Sequence, residues 1–118
     1  MKHVIIGNGP AGVIAAETLR RADPAAGVVL VGDDNEPPYS RMAIPYLLTG
    51  NIAEAGTYLR KDVNHYACLG IRLVHGRVER IDSAAREVVL ANGERLAFDR
   101  LLIASGSHPV RPPIPGIE

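Results

Sequence analysis

Cysteine is nearly absent from this chain, with Cys68 alone among 118 residues. A single cysteine excludes an internal disulfide and a cysteine-rich metal site, and it is consistent with a reducing compartment. Long apolar runs are lacking too, since the N-terminal run breaks at Gly7 and none approaches the ~18 residues of a membrane span. We therefore expect neither a signal peptide nor a membrane anchor, and a cytoplasmic protein.

An excess of either charge is also missing. Lys plus Arg and Asp plus Glu both number 13, so no overall field attracts nucleic acid or an anionic membrane. The histidines are too scattered along the chain to suggest a metal site. The apolar fraction of 47% and the length of 118 residues predict one globular domain with a real core.

Strand and helix patterns alternate at the start of the chain. Residues 3–6 form a short apolar run that ends at a glycine, which predicts a buried strand. From Pro10 onward apolar residues recur at spacings of three and four, which predicts a helix that ends before Asp23 and Pro24. Residues 28–31 are a second apolar run, so the three elements predict a βαβ unit with parallel strands.

Shorter elements fill the rest of the chain. Short helices are predicted at residues 44–48 and 62–69, each followed by a glycine. Asn92 and Gly93 predict a two-residue hairpin turn with positive φ. Further strands are predicted at residues 71–75, 78–81, 87–90, 95–98 and 101–104. This order predicts an α/β fold with a parallel central sheet and an additional antiparallel β-meander layer.

The sequence GNGPAG has the spacing of a GxGxxG phosphate-binding turn. Gly7, Gly9 and Gly12 follow a predicted strand and open a predicted helix. In such a turn the first glycine adopts a conformation that other residues avoid, the second admits a pyrophosphate, and the third lets helix and strand pack closely. The phosphates lie at the helix N-terminus, where free N–H groups favour them. The glycines therefore predict a dinucleotide site, and a purely structural tight turn is the alternative.

An acidic pair follows the second predicted strand. Gly32, Asp33 and Asp34 lie about twenty residues beyond Gly12, where an acid meets the ribose hydroxyls of a dinucleotide. Either carboxylate fits this role, and we favour Asp33 over Asp34.

Three stretches, GPAG, PPYSRMAIPYLLTG and LLIASGSHPVRPPIPG, together with Ala16, resemble the N-terminal FAD-binding segment of the pyridine nucleotide-disulfide oxidoreductase superfamily. The second stretch is most similar to the NAD(P)H-dependent branch that contains nitrite reductase flavoprotein subunits, rubredoxin reductases, ferredoxin reductases and NADH oxidases. The resemblance covers all 118 residues and implies a Rossmann-like FAD-binding domain. The residues it assigns to FAD are Gly7, Gly9, Pro10, Ala11, Gly12, Gly32, Asp33, Asp34, Arg41, Val78, Ala104, Ser105 and Gly106.

The resemblance also implies separate roles for these residues. Residues 7–12 hold the pyrophosphate, and Asp33 or Asp34 binds the adenosine ribose. Arg41 contacts the phosphates or the flavin side, and Val78 contacts the adenine through its backbone. Residues 104–106 lie against the dinucleotide at the end of the last strand.

The chain departs from its relatives at several positions. An acid at the very end of the second strand is common in the superfamily, whereas Gly32 stands there in this chain. The single redox cysteine of some disulfide-using relatives falls on Met42, and no CxxxxC pair is present, so we expect no thiol-based chemistry. Pro45 and Tyr46 stand where ferredoxin reductases often carry a lysine near the flavin. We assign no catalytic residue.

The resemblance implies that residues 1–118 are the N-terminal portion of an FAD-binding domain. The NAD(P)H-binding and interface domains would then follow Glu118, and NAD(P)H would bind only there. We expect the parent to be an NAD(P)H oxidoreductase that passes electrons through FAD to a small acceptor protein, a nitrite reductase centre or oxygen. The alternatives are a stand-alone FAD-binding or nucleotide-binding module that needs a partner subunit, and a single-domain NAD-binding protein. Surfaces left without the other domains favour association, such as a homodimer.

We interpret the single cysteine and several basic side chains as structural and not as functional. Cys68 falls on the apolar side of a predicted helix, which indicates a buried structural thiol. Arg20, Arg21, Arg60 and Lys61 are interpreted as parts of solvated helix faces.

Overall fold

Within residues 1–117, which the computed structural model describes, seven strands form two sheets and are joined by three α-helices. The elements in chain order are β1 (Lys2–Ile6), α1 (Pro10–Ala22), β2 (Gly27–Gly32), α2 (Ile44–Leu48), α3 (His65–Cys68), β3 (Ile71–His75), β4 (Val78–Asp82), β5 (Glu87–Leu90), β6 (Arg95–Ala97) and β7 (Arg100–Ile103). The predicted α/β class with two kinds of sheet is confirmed.

The larger sheet is parallel and has the strand order β3-β2-β1-β7. β1 and β2 pair in register from Lys2 with Gly27 to Ile6 with Val31, and α1 crosses between them. Pro10 is the first helical residue, where its missing N–H leaves no bond unmade. The predicted βαβ unit is present, and β1 lies between β2 and β7.

The smaller sheet is antiparallel, with the order β4-β5-β6, and it covers one face of the parallel sheet. Strand residues alternate between the two faces, which divides the core into two clusters. The cluster on the side of the helices contains Ile5, Val13, Ala16, Ala26, Val28, Leu30, Tyr66 and Ile71. The cluster against the antiparallel sheet contains Val4, Val31, Val74, Val88, Leu90 and Leu96. Burial on both faces explains why the inner strands β1 and β2 contain continuous apolar runs.

The helix predicted at residues 62–69 is shorter in the structure. Asp62 Oδ1 accepts the N–H of Asn64 at 2.9 Å, and this side-chain turn delays the helix to His65–Cys68. Cys68 is exposed, so its interpretation as a buried thiol was wrong. Cys68 is two residues from the buried Tyr66, a spacing that places the two side chains on opposite faces of a helix.

The turn between β5 and β6 is longer than predicted. The Gly93 N–H donates to the Leu90 carbonyl, and the Leu90 N–H donates to the Glu94 carbonyl, each at 2.9 Å. The loop therefore contains three residues. Gly93 has a φ of 88°, whereas the φ of Asn92 is not positive. This is a turn followed by a left-handed glycine, a common three-residue hairpin loop.

Candidate functional site

A cleft of ≈ 690 Å³ opens at the carboxyl ends of the parallel strands. β1 ends at Ile6, β2 at Gly32 and β7 at Ile103, and the residues that follow these strands meet around the cleft. Open parallel sheets bind ligands beyond the carboxyl ends of their strands. The cleft is therefore the candidate binding site.

Most residues predicted to contact a dinucleotide line this cleft. They are Gly7, Gly9, Pro10, Ala11, Gly32, Asp33, Asp34, Arg41, Val78, Ala104, Ser105 and Gly106. Gly12 does not line the cleft, because it is buried behind the turn. A Cβ on Gly12 would collide with the Gly7 carbonyl and lie 3.2 Å from Leu30 Cδ1. Gly12 therefore allows close helix packing and does not itself face the cleft.

Gly7 connects the ends of three strands. Its N–H donates to the Val31 carbonyl at 2.8 Å, and its φ of 109° is one that other residues rarely adopt. A Cβ on Gly7 would lie 2.6 Å from the carbonyl carbon of Ala104 and closer still to its oxygen. The turn after β1 therefore needs glycine here to fit against the segment after β7.

The start of α1 offers unpaired amides beside the cleft. Gly9 is the residue that precedes the helix, and no side chain caps the first turn. The first bond of the helix runs from the Val13 N–H to the Gly9 carbonyl at 3.0 Å, which leaves the Ala11 and Gly12 amides without an intrahelical acceptor. No atom lies within 4 Å of an ideal Cβ on Gly9. This arrangement fits an anion such as a pyrophosphate.

Asp34 organises the loop that follows β2. The Tyr39 hydroxyl donates to Asp34 Oδ2 at 2.8 Å, and Arg41 Nη2 lies 3.7 Å from the same oxygen. The hydrogen bond to Asp34 raises the pKa of Tyr39 above its ordinary value, because it stabilises the neutral hydroxyl. His75 Nδ1 lies 2.9 Å from the Asp34 carbonyl oxygen. The Asp34 carboxylate is thus already engaged by protein groups.

Asp33 is the more accessible carboxylate of the pair. Its side chain is 53% exposed, and Arg77 Nη1 lies 3.5 Å from Asp33 Oδ2. Such a long, exposed ion pair contributes little to stability, so the carboxylate is free to exchange partners. The Gly76 N–H donates to the Gly32 carbonyl at 2.8 Å, which brings Arg77 to the cleft although it lies 44 residues from Asp33.

Several further residues line the cleft that were not named individually as contacts of the dinucleotide. They are Ile6, Asn8, Val31, Tyr39, Ser40, Met42, Gly76, Arg77, Ser107 and His108. The position of Asn8 inside the glycine turn is a signal that could have identified it. Arg77 carries no comparable local signal, because only the pairing of β2 with β3 brings it to the cleft.

Arg60 was predicted to be on a solvated helix face, and this was wrong. Arg60 Nε and Nη2 donate to the two carboxylate oxygens of Glu17 at 2.7 and 2.8 Å. His65 Nε2 lies 2.8 Å from Glu17 Oε1, and Glu17 is only 7% exposed. The hydrogen bonds from Arg60 lower the pKa of Glu17, against the opposing effect of burial. None of the three lines the cleft, so this cluster joins α1 to the segment that precedes α3.

Arg20 also has a structural contact in place of the predicted solvated position. Its guanidinium donates to the carbonyls of Pro24 at 2.7 Å and Gly70 at 2.9 Å. These bonds tie the end of α1 to the turn before β3.

Residues 1–117 contain neither a metal-binding cluster nor a membrane-spanning helix. Over that range, no three His, Cys, Asp or Glu side chains are grouped so that they could hold a metal ion. No helix in the same range is long and apolar enough to cross a membrane.

Comparison with known proteins identifies relatives over nearly the whole chain. The ferredoxin–NAD(+) reductase component of the p-cumate 2,3-dioxygenase system of Pseudomonas putida is 39% identical over 111 residues, which are 93% of this chain and 27% of that protein. Rhodocoxin reductase of Rhodococcus erythropolis is 31% identical over 117 residues, which are 98% of this chain and 27% of that protein. The chain thus spans about a quarter of the length of these relatives.

A solved structure has the same fold. In the crystal structure of the covalent putidaredoxin reductase–putidaredoxin complex, the matching chain is 32% identical and superposes with a TM-score of 0.87, over 95% of this chain and 27% of that one. Residues 1–118 also match the family described as pyridine nucleotide-disulphide oxidoreductase along their whole length. Since both the glycine turn and the fold that carries it agree with this match, the chain belongs to the pyridine nucleotide-disulphide oxidoreductase family.

Proposed function

We propose that this chain is the FAD-binding portion of an NAD(P)H-dependent flavoprotein reductase that passes electrons to a small acceptor protein. The observation that carries the proposal is that the glycine turn, the acidic pair and residues 104–106 line the same cleft. The curated relatives are named as a ferredoxin–NAD(+) reductase component and as rhodocoxin reductase, which supports a protein as the electron acceptor. Because the chain spans about a quarter of their length, we assign the NAD(P)H site to the remainder of the parent protein.

The residues at the start of α1 fit the pyrophosphate of FAD. The Ala11 amide lacks an intrahelical acceptor and Ala11 lines the cleft, and the space beside Gly9 is open. A pyrophosphate there accepts a hydrogen bond from the Ala11 amide and gains from the positive end of the helix dipole. The Arg41 side chain is 68% exposed at the same cleft, so its positive charge is accessible to a ligand there.

Other residues of the cleft fit the remaining parts of the dinucleotide. Asp33 is the carboxylate with room for a ligand, so we assign the adenosine ribose to Asp33 and the positioning of Tyr39 and Arg41 to Asp34. Val78 begins β4 at the edge of the cleft and is assigned to the adenine through its backbone. Residues 104–106 follow β7 and lie beside the turn that Gly7 makes.

The chain binds and orients the cofactor in this proposal. A bound flavin would supply the hydride-accepting and electron-passing chemistry, which belongs to the cofactor. Met42 is 85% exposed and lines the cleft where some relatives carry a cysteine. Because a thioether cannot form a disulfide, we assign no thiol step and no catalytic residue to this chain. A cytoplasmic location remains part of the proposal.

FAD binding by the purified chain tests the proposal. We expect a yellow protein after incubation with FAD and desalting, with flavin absorption bands and release of intact FAD on denaturation. A colourless chain that binds NADH and ignores FAD would overturn the proposal in favour of a single-domain NAD-binding protein.

The reading frame that contains the chain tests the other part of the proposal, which is that the chain belongs to a longer NAD(P)H-dependent reductase. Continuation of the coding sequence into a second glycine fingerprint, together with NAD(P)H-driven reduction of a ferredoxin-type protein by the parent, is the expected result. A stop codon directly after Glu118 would contradict the parent enzyme and favour a small subunit that completes its site with a partner chain.

A further inference from the structure

The side chain of Asn8 occupies the space beside Gly32. An ideal Cβ on Gly32 would lie 2.6 Å from Asn8 Oδ1, and closer still to Asn8 Cγ and Nδ2. Real Cβ atoms essentially never approach other heavy atoms to within 3.0 Å. The Asn8 amide therefore rests against the Gly32 backbone, and any larger residue at position 32 would displace it.

The Asn8 amide lines the cleft with unused hydrogen-bonding capacity. Within residues 1–117, the side-chain hydrogen bonds of the cleft residues join Tyr39 and His75 to Asp34 and Arg77 to Asp33, and none of them involves the Asn8 amide. An asparagine amide has two donor hydrogens and one acceptor oxygen. Because Asn8 is only half-buried, a molecule in the cleft can reach these groups.

The position of Asn8 lies between two parts of the proposed site. Gly7 and Gly9, its neighbours in the chain, form the turn assigned to the pyrophosphate. Gly32, against which the amide rests, directly precedes Asp33, to which the ribose is assigned. A contact from Asn8 would therefore reach the adenosine-phosphate half of a dinucleotide and not its distal half.

We propose that the Asn8 side chain is a binding residue for the ADP portion of the dinucleotide, and that glycine at position 32 allows the amide to take up this position. Phosphate oxygens accept hydrogen bonds from the amide, and ribose hydroxyls both donate and accept. The proposal rests on the proposed function, but it adds a side-chain contact to a turn that otherwise binds through backbone amides. It also explains why Gly32 stands where an acid is common: the amide of Asn8 fills the volume that an acidic side chain would need.

Binding of FAD and of ADP to the purified chain and its variants tests the proposal. Asn8→Ala is expected to weaken both ligands by the same factor, about tenfold for one lost hydrogen bond. Gly32→Ala is expected to weaken them at least as much, because its Cβ displaces the amide. The double variant Asn8→Ala/Gly32→Ala is expected to bind no more weakly than Asn8→Ala, because no amide remains to be displaced.

Two further variants separate binding from folding. Gly27→Ala introduces the same methyl group on the same strand, where the nearest atoms lie 3.9 Å from the new Cβ, and should leave both affinities unchanged. Asn8→Asp preserves the size of the side chain and places a negative charge beside the phosphates, so it should weaken binding more than Asn8→Ala. Thermal unfolding of each ligand-free variant measures any effect on folding.

The outcomes distinguish this proposal from the proposed function. If the unmodified chain binds FAD but Asn8→Ala and Asn8→Asp bind ADP as tightly as it does, the Asn8 contact is overturned and FAD binding stands. A loss of affinity for FAD without a loss for ADP would also overturn it, because the contact would then lie outside the ADP portion. Failure of the unmodified chain to bind either ligand would overturn both proposals.

Discussion

The Gly7 N–H donates to the Val31 carbonyl at 2.8 Å and so joins the glycine turn after β1 to the end of β2. The same glycine fits against the Ala104 carbonyl, where a Cβ has no room. The turn is therefore held from both sides by neighbouring strands before any ligand binds. Such preorganisation reduces the conformational freedom that binding must remove.

Gly7→Ala is expected to destabilise the ligand-free chain by about 2 kcal/mol or more. The substitution places a Cβ against the Ala104 carbonyl and forces a side chain into a backbone conformation with φ at 109°. Denaturant unfolding measures the change. Gly9→Ala is the matched control in the same turn, because its Cβ meets no atom within 4 Å. Equal stability of the two variants would contradict this account of the turn.

Gly9→Val is expected to weaken FAD binding by ~100-fold or more while leaving the ligand-free fold intact. The branched side chain enters the open space that the pyrophosphate is proposed to use, and no protein atom lies there to be disturbed. Titration with FAD and thermal unfolding of the free chain provide the two measurements. Retained affinity would mean that the turn is not the phosphate site.

Asp33→Asn and Asp34→Asn are expected to have different effects. Asp33→Asn should weaken FAD binding and leave stability nearly unchanged, because its contact with Arg77 is long and exposed. Asp34→Asn should instead lower stability, because it weakens the contacts that hold Tyr39 and Arg41. Titration with FAD and denaturant unfolding of both variants test this assignment. If only Asp34→Asn lost FAD binding, the ribose would have to be assigned to Asp34.

The ionisation of Tyr39 provides an independent test of its bond to Asp34. That hydrogen bond raises the pKa of Tyr39, so in Asp34→Asn the Tyr39 phenolate should form at lower pH. Ultraviolet titration of the phenolate measures this, with the Tyr39→Phe variant subtracted to remove the other tyrosines. An unchanged Tyr39 titration would show that the bond is not formed in solution.

Glu17→Gln is expected to destabilise the chain by about 2–3 kcal/mol at neutral pH, because the buried bidentate contact with Arg60 loses its charge. Glu94→Gln is the control, since the Arg72–Glu94 pair is exposed and should contribute below about 1 kcal/mol. Denaturant unfolding of both variants supplies the comparison. Equal effects would contradict a structural role for the buried pair.

The Glu17 contribution should depend on pH in a defined direction. Arg60 lowers the pKa of Glu17 in the folded chain, so the stabilisation is present above the ordinary glutamate pKa of about 4.3. This stabilisation is lost as the pH falls from that value through the lowered pKa that Glu17 has in the folded chain. The stability difference between the unmodified chain and Glu17→Gln should therefore narrow in that acid range, and a constant difference would exclude the linkage.

Self-association of the isolated chain is a further expectation. The side chains of Ile14, Leu102 and Ile103 are 53%, 43% and 61% exposed, and Ile14 and Leu102 border an apolar groove between α1 and β7. Apolar surface of this kind favours association. Sedimentation should show concentration-dependent dimers that decrease in Leu102→Lys, and a chain that stays monomeric would contradict the homodimer.

Local patterns predicted the elements well where neighbouring residues decide the structure. α2, β3 and β5 have the predicted bounds of residues 44–48, 71–75 and 87–90. Turn residues and apolar periodicity act over a few positions, so they can be recognised without knowledge of the fold. The predictions for Cys68 and Arg60 were wrong because burial depends on which distant segment covers a side chain.

By itself, the sequence determined the βαβ unit, the glycine turn at the start of α1 and the family resemblance, because these depend on residues close together in the chain. Only the tertiary structure decided that Asn8 rests on Gly32, that Arg77 reaches Asp33 and that Arg60 pairs with Glu17. Each of these contacts joins segments far apart in the sequence. The register of parallel strands and the packing of α1 on the sheet set those distances, and no local pattern of residue types encodes them.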